Sequence, residues 1–335
     1  MIQAEKLAKT FYVHEKEPGL KGSLVALVRR KKIAREAVRG VSFEVGEGEI
    51  VGLVGANGAG KTTVVKMLAG IIHPSAGRAR VLGFDPWKRD DRMRRQIALI
   101  MGQKAQLWWD LPAADSFLLL KEIYQVEERR YRENLAYLSE VLGVASQLRV
   151  QLRRLSLGER MKMELIAALL HSPRVVFLDE PTIGLDLTAQ RAIREFLLQY
   201  RREHRPAMIL TSHYMEDIER LCERLLILRD GELVYDGALA GIRSFYGAKK
   251  VLTARLDPGL PEREIRTLAS AANLGSLGEL LGADGEGVRL AVPRERVAEA
   301  AGHLLEALPV EDLLIEEEDI GTLIEAIMRG RGQQP

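Results

Sequence analysis

The first half of the chain alternates short apolar runs with segments of helical character. Val41–Val45 alternates apolar and polar residues, as a half-exposed strand does. Glu49–Val54 is a short apolar run followed by a helical segment at Lys61–Ala69. Arg174–Leu178 and Ala207–Leu210 are further apolar runs, each preceded by a helical stretch, as is typical of buried parallel strands. This pattern predicts an α/β domain built on a mainly parallel sheet.

Three further regions complete the predicted architecture. Residues 115–171 lack strand signals and are rich in Leu, Glu and Arg, so we expect a helical insert at about 104–172. Leu225–Leu228 and Leu233–Tyr235 flank a glycine-containing turn, which predicts an antiparallel β hairpin. A first domain is therefore assigned to residues 1–245. Residues 246–335 repeat strand and helix patterns on a smaller scale, which predicts a C-terminal accessory α+β domain.

An N-terminal segment at about 14–38 stands apart from this pattern. Leu20, Leu24, Leu27 and Val28 recur at helical spacing, and the basic run Arg29–Lys32 follows them. A basic amphipathic helix is typical of contact with a membrane surface, where anionic lipid attracts each charge by about 1 kcal/mol. The alternative is an insert that packs on the domain with its charges solvated, and four contiguous charges often do no more than that.

Charge, cysteine content and apolar content add to this picture. The net charge of +2 over 335 residues is a sum of unlike parts, because residues 250–335 hold 9 basic and 16 acidic residues while the rest carries the positive excess. The single cysteine, Cys222, favours a reducing compartment. The longest apolar run is Leu165–Leu170, well short of the roughly 18 residues of a membrane span. The N-terminus lacks the apolar core of a signal peptide.

Residues 55–62 match the phosphate-loop pattern G-x-x-x-x-G-K-[ST] between a predicted strand and a predicted helix. Its glycines let backbone N–H groups converge on one anion, and the helix adds its positive end. The lysine would reach the β- and γ-phosphates, and the first threonine would hold Mg²⁺. The alternative is a glycine-rich turn without a ligand. We expect the nucleotide-binding residues to be Gly55, Asn57, Gly58, Gly60, Lys61, Thr62 and Thr63.

A second pattern places two carboxylates at the end of a buried strand. Asp179 and Glu180 follow the apolar run Val175–Leu178, and adjacent strand residues point in opposite directions. Asp179 would coordinate Mg²⁺, directly or through water, while Glu180 would orient or deprotonate an attacking water. The alternative is a solvated acidic turn.

Ser156 and Glu159 have the spacing of a capping box, which alone would explain them as a helix start. In context they belong to an ordered set that resembles the ATPase subunits of ABC transporters over roughly residues 1–245. The set comprises the phosphate loop, Met101-Gly102-Gln103, Leu155-Ser156-Leu157-Gly158-Glu159, Phe177–Thr182, Gly184-Leu185-Asp186 and Thr211-Ser212-His213. One departure is visible, because Leu157 replaces the first of two glycines usual in this signature.

The resemblance implies roles that the residues alone do not. Two ATPase subunits would face each other head to tail, each ATP lying between one phosphate loop and the other subunit's signature. Ser156 and Gly158 would contact the γ-phosphate, and Asp186 would cross the interface. Gln103 would sense Mg²⁺ and γ-phosphate, and His213 would bind the γ-phosphate. An aromatic ring would stack on adenine, with Phe11 favoured over Tyr12 by its spacing after Lys9.

The stretches Leu82–Arg89 and Gln106–Pro112 resemble the daunorubicin-resistance branch of bacterial ATPases, which pair with separate multi-span permeases, mostly exporters. Trp108 and Trp109 would lie where such subunits touch the permease, although two core tryptophans are an equal alternative. We therefore expect a peripheral ATPase at the cytoplasmic face of the membrane, with ATP and Mg²⁺ as cofactors and no nucleic-acid partner. A soluble ABC-type ATPase acting on ribosomes or DNA is the alternative function.

Overall fold

A computed structural model describes residues 1–15, 31–102, 104–245, 249–257, 259–285 and 287–330. The leucine-rich, basic segment at positions 20–30 and the predicted γ-phosphate sensor Gln103 lie outside these ranges. The chain divides into two compact units, Met1–Leu239 and Ala240–Pro335. The division expected near residue 245 stays a prediction.

The strands of the first unit are β1 (Ile2–Glu15), β2 (Lys31–Val45), β3 (Ile50–Gly55), β4 (Ala76–Val81), β5 (Ile97–Met101), β6 (Val175–Asp179), β7 (Ala207–Thr211), β8 (Arg224–Arg229) and β9 (Glu232–Ala238). Its helices are α1 (Lys61–Leu68), α2 (Asp91–Arg94), α3 (Ala113–Tyr124), α4 (Glu128–Val141), α5 (Leu157–Leu169), α6 (Leu187–His204) and α7 (Met215–Leu221). An eighth helix, α8 (Leu239–Phe245), begins at its end. Within the described ranges, no helix combines the length and apolar character that crossing a bilayer requires.

Two sheets form the first unit. One has the order β5-β6-β7-β3-β8-β9 and is parallel except for β9, which pairs antiparallel with β8. The other is antiparallel, with the order β2-β1-β4. The expected fold class, an α/β ATPase fold with a mainly parallel sheet, an antiparallel subdomain and a helical insert, is confirmed. Helices α3, α4 and α5 form the insert.

The core of this unit joins both sheets through α1. Leu53, Phe177 and Ile209 from the parallel sheet belong to the same buried cluster as Leu7 and Phe43 from the antiparallel sheet. In Val41–Val45 the apolar residues are buried and the polar ones exposed, as the alternation predicts. Burial of strands β3, β6 and β7 on both faces explains their continuous apolar runs.

Both ends of the predicted basic insert over 14–38 are strand, and the amphipathic helix expected within it, at positions 20–28, lies outside the described residues. β1 runs to Glu15 and β2 starts at Lys31, so Lys31 and Lys32 pair with Glu15 and His14 in a two-stranded ribbon. β4 pairs with β1 only as far as Ala8, so the ribbon extends beyond the sheet. Described ribbon side chains from Ile33 to Glu36 are exposed. Because the described ribbon side chains from Ile33 to Glu36 have no buried face, this part of the sequence lacks the apolar alternation that would have marked it as strand.

The second unit contains β10 (Lys249–Leu256), α9 (Glu262–Ala271), β11 (Glu279–Asp284), β12 (Gly287–Pro293), α10 (Val297–Ala307), β13 (Val310–Glu317) and α11 (Ile320–Met328). Its antiparallel sheet has the order β11-β12-β10-β13, which makes a β-α-β-β-α-β unit of ferredoxin-like topology. Buried side chains of α9 and α10 pack with those of β10 and β12 in one core. Strand β11, an edge strand with a register shift between Leu280 and Gly282, is absent from the sequence prediction.

Candidate active site

Three parallel strands bring the predicted phosphate-site residues to one edge of the sheet. β3 ends at Gly55, where the phosphate loop begins, while β6 ends at Asp179 and β7 at Thr211. Since these strands are parallel neighbours, their carboxyl ends meet at the edge where open α/β sheets bind ligands. The loop then enters α1 at Lys61.

The backbone of the phosphate loop requires glycine at its last turn. Gly60 precedes α1 with a φ of 106°, which side-chain-bearing residues rarely adopt. A Cβ at this position would also clash with the carbonyl oxygen of Ala37. The tight curl points successive N–H groups inward next to the positive end of α1, so the loop forms an anion-binding concavity.

Lys61 lies against the backbone of this loop. Its Nζ donates to the carbonyl oxygens of Gly55, at 2.6 Å, and Ala56, at 3.2 Å. Burial lowers the pKa of Lys61, and the nearby carboxylates of Glu180 and Asp179 oppose that shift. The Lys61 ammonium group is partly desolvated and receives no charge compensation from its carbonyl partners, so an anion would stabilise it more than it would a solvated cation. The group is therefore suited to bind phosphate oxygens.

Asp179 is held by hydroxyls from two elements. The Thr62 Oγ1 donates to the Asp179 carboxylate at 3.0 Å to Oδ2 and 3.2 Å to Oδ1. Thr211 Oγ1 donates to Oδ1 at 2.7 Å. A hydroxyl and a carboxylate so close together are the hard oxygen ligands that Mg²⁺ accepts, alongside waters and phosphates. The residues present therefore fit a magnesium nucleotide.

Glu180 follows Asp179 directly and pairs with His213. The residue has a φ of 57°, an uncommon conformation stabilised by its N–H, which donates to the Thr211 carbonyl at 3.0 Å. Its Oε1 lies 2.8 Å from His213 Nε2. Among the described residues its buried Oε2 has no hydrogen-bond partner. One oxygen is thus oriented by the imidazole while the other can accept a proton or a water.

The loop after β5 lies against the backbone of Asp179 and Glu180. Gly102 donates its N–H to the Asp179 carbonyl at 2.8 Å, and a Cβ on Gly102 would overlap the Glu180 carbonyl oxygen. Only glycine therefore permits this approach. A cavity of about 200 Å³ adjoins the loop and is lined by Thr62, Lys66, Met101, Gly102, Lys104, Asp179 and Glu180. Gln103 follows Gly102 directly, and its role stays a prediction.

A buried network that the sequence interpretation missed supports Glu180 and His213. Asp217, fully buried on α7, accepts hydrogen bonds from the hydroxyls of Thr182 and Ser212, the latter at 2.6 Å. Arg194 on α6 donates to its other oxygen at 2.8 Å. Thr182 follows Glu180 closely, and Ser212 precedes His213. The available signal was a charged pair within two amphipathic helices, which sequence alone does not distinguish from surface residues.

The signature segment begins α5 as a capping box. Ser156 Oγ lies 2.9 Å from Glu159 Oε2 and 3.3 Å from the Glu159 nitrogen, while the Ser156 N–H donates back to Glu159 at 2.9 Å. Asp186 caps α6 by accepting from Ala189 N–H at 2.8 Å. A Cβ on Gly158 would lie 3.0 Å from the Ala189 Cβ, so the two helix starts are adjacent. No hydrogen bond within the described ranges joins Ser156 or Gly158 to the phosphate loop.

The two aromatic candidates for adenine lie on β1 near its ribbon end. Phe11 is 37% exposed, and the Lys9 ammonium lies 5.1 Å from its ring centroid. Tyr12 is 67% exposed. Successive strand residues face opposite ways, so one ring at most can face a nucleotide. The choice of Phe11 stays a prediction.

Two family models match the chain. One, described as ABC transporter, matches residues 38–183. The other, described as EvrA-like ABC transporter, C-terminal domain, matches residues 248–316.

Individual proteins are similar over more than half of the chain. The ABC transporter ATP-binding protein NatA of Bacillus subtilis is 33% identical over 213 residues, 64% of this chain and 86% of NatA. Nod factor export ATP-binding protein I of a Rhizobium species is 34% identical over 201 residues, 60% of this chain and 66% of that protein. A solved structure described as the ATP-binding subunit of an ABC transporter matches with a TM-score of 0.61 and 25% identity, covering 73% of this chain and 92% of that one.

Proposed function

We propose that this chain, which belongs to the ATP-binding proteins of ABC transporters and is an ATPase, powers export through a separate multi-span membrane permease. The relative from a Rhizobium species is a Nod factor export ATP-binding protein, which supports an export role for this chain. The subunit would work at the cytoplasmic face of the membrane as a peripheral protein.

The Glu180–His213 contact at 2.8 Å is the observation that carries the hydrolytic part of the proposal. Water attacks the γ-phosphorus, the bond to the bridging oxygen breaks, and the water proton passes to the Glu180 carboxylate. His213 orients that carboxylate, and Lys61 neutralises charge on the phosphates. Thr62 and Asp179 would hold Mg²⁺, which supplies charge neutralisation at the phosphate oxygens.

Head-to-tail dimerisation is supported by the placement of the signature. Gly158 and Asp186 lie on adjacent helix starts, so a second copy would meet the Ser156–Gly158 segment and Asp186 as one surface. The first-turn N–H groups of α5 have no intrahelical acceptors and can bind a phosphate brought by that copy. ATP would then close the dimer and hydrolysis would release it.

A groove between α2, β5 and α3 offers a surface for the permease. It encloses about 600 Å³ and is walled mainly by the apolar side chains Ala69, Ile71, Ile97, Leu99, Met101 and Ile123. Asp91 and Arg94, which pair with each other at 3.1 Å, also line it. Arg95 and Lys104 line it too, and neither forms an ion pair within the described part of the chain. Trp108 and Trp109, about half exposed, follow nearby in sequence. An amphipathic cytoplasmic segment of the permease with a carboxylate among apolar residues fits this groove.

The Glu180→Gln variant tests the proposal when it is used to trap the ATP-bound subunit on native membranes. The variant should bind ATP as well as the wild type and hydrolyse it at least a hundredfold more slowly, because the amide is not a base. After detergent extraction, it should retain a multi-span protein more strongly with ATP than without. Recovery of ribosomes or DNA in place of a membrane protein would refute the transport role, and retained turnover would remove Glu180 as the base.

A further inference from the structure

Glu164 lies in the middle of α5, the helix that the signature begins, and its carboxylate is nearly buried at 8% exposure. Its Oε1 accepts the backbone N–H of Gln106 at 2.9 Å and that of Leu107 at 3.2 Å. Burial raises the pKa of the Glu164 carboxyl, and these two N–H donors oppose the shift. Its Oε2 is buried without a partner among the described residues.

A buried carboxylate at this position of α5 is less stabilising than an apolar side chain would be. An apolar side chain would pack there without a desolvation penalty. A buried carboxylate with one unpartnered oxygen loses hydration free energy that its hydrogen bonds do not fully replace. The carboxylate supplies the acceptor for both of these backbone N–H groups. The bonds join α5 to residues 106–111, here named the tryptophan segment.

The tryptophan segment is bound to the signature region at further points. The Arg160 guanidinium of α5 lies 4.7 Å from the Trp109 ring centroid. The N–H of Arg153 donates to the Trp109 carbonyl at 3.0 Å, and that of Leu152 donates to Leu111 at 3.1 Å. Arg153 lies just before the signature in sequence. The segment and the start of α5 are thus joined on both sides of Ser156.

The same segment also touches the parallel sheet and solvent. The Gln106 amide Nε2 donates to the Leu99 carbonyl of β5 at 2.6 Å. Trp108 and Trp109 expose 47% and 49% of their surface. A partner that displaces these indoles therefore pulls on a segment that is held at its start by β5 and by Glu164 of α5, and at its end by Leu152, Arg153 and Arg160.

We propose that Glu164 is a positioning residue that fixes the tryptophan segment to α5, so that force on Trp108 and Trp109 moves the Ser156–Gly158 end of that helix. The identity of the partner as a permease rests on the proposed function, whereas the link from Glu164 to the segment does not. Glu164 touches no reacting atom and acts through Ser156 and Gly158.

Hydrogen exchange on the full chain measures the link directly. Peptides covering residues 104–112 should exchange at least tenfold faster in Glu164→Ala and in Glu164→Met, which keeps the side-chain length and safeguards folding. Glu164→Gln retains an oxygen acceptor and should stay within about twofold of the wild type. Met163→Ala removes a fully buried neighbour on the same helix that makes no hydrogen bond to the segment, and it serves as the matched control.

Steady-state ATPase measurements add a readout that lost stability alone does not move. In Glu164→Met, kcat should fall at least fivefold while the Kd for ATP stays unchanged, because the phosphate loop is intact and the signature is displaced. Glu164→Gln should restore kcat. With the copurified permease present, stimulation of the ATPase should be lost in Glu164→Met and kept in Glu164→Gln.

The outcomes separate the two hypotheses. Wild-type exchange in both Glu164→Ala and Glu164→Met, or equal acceleration in Met163→Ala, would overturn the positioning role. If the wild type gains no stimulation from any membrane protein while the exchange and kcat effects hold, the transport role fails and the positioning role stands.

Discussion

Asp217 gives the sharpest test of how the site is built, because its contacts are entirely buried. Asp217→Asn keeps the shape and removes the charge, so its amide cannot accept from the hydroxyls of Thr182 and Ser212 and from Arg194 at once. Removing one partner of a buried ion pair costs about 3–5 kcal/mol. Arg194 keeps its 3.0 Å contact with Glu216, so we expect about 3 kcal/mol. At roughly 2–4 °C per kcal/mol, the thermal midpoint of this unit should fall by about 6–12 °C.

Differential scanning calorimetry and steady-state kinetics on Asp217→Asn together test the reasoning. Since Thr182 and Ser212 flank Glu180 and His213, kcat should fall about ten- to a hundredfold while the Kd for ATP is nearly unchanged. Glu216→Gln is the matched control, because that half-exposed partner of Arg194 should cost no more than about 1 kcal/mol. An Asp217→Asn protein within 1 kcal/mol of wild type, or one that loses kcat no more than Glu216→Gln, would refute the network's role.

Three further predictions address other parts of the first unit. Lys61→Ala should lose at least tenfold in ATP affinity by calorimetric titration, and unchanged affinity would remove Lys61 from the phosphate site. Arg95→Glu, which lies outside the active-site cavity, should weaken recovery of the membrane partner by at least about tenfold while leaving the ATPase of the isolated chain within about twofold, whereas unchanged recovery would disprove the groove as the docking surface. Burial lowers the pKa of His171 from 6.5 to about 4, so its stabilising effect is complete above pH 6.5 and is lost as the pH falls toward 4. Between pH 7 and pH 5 the wild type should lose about 2 kcal/mol more unfolding free energy than His171→Gln in urea titrations, and equal losses would contradict the burial argument.

The fold was predictable where burial imposes a pattern on the sequence. The runs that became β3, β6 and β7 are apolar because both faces of the sheet are covered, and the phosphate loop could be identified because Gly60 and Lys61 meet strict backbone and charge requirements. The β1–β2 ribbon and edge strand β11 impose no such pattern, since their side chains, where the structure describes them, are exposed or only partly buried. Their pairing is decided by backbone hydrogen bonds, which any residue but proline can make.

The candidate site, like the fold, was predictable from the sequence only in part. Lys61, Thr62, Asp179, Glu180 and His213 converge because their elements share one sheet edge, and their individual roles stay predictions. Asp217 and Glu164 could not have been identified from the sequence. Both are acidic residues on helices, and only the tertiary structure distinguishes a buried carboxylate that organises neighbouring loops from the many solvated ones.

The segment at Ser156 can both cap a helix and bind a phosphate, because the two functions use different atoms. The capping box uses the Ser156 side chain and the N–H groups of Ser156 and Glu159, at 2.9–3.3 Å. The capping box does not use the N–H groups of Leu157 and Gly158, and in the first turn of a helix these groups have no intrahelical acceptor. Gly158 has no side chain that would block an anion at that turn. The Leu157 side chain lies against the turn at Gly184, 3.4 Å from the position that a Cβ on Gly184 would occupy. The substitution of leucine for glycine at position 157 is therefore accommodated by the neighbouring loop of the same chain, and the atoms suited to a phosphate remain free.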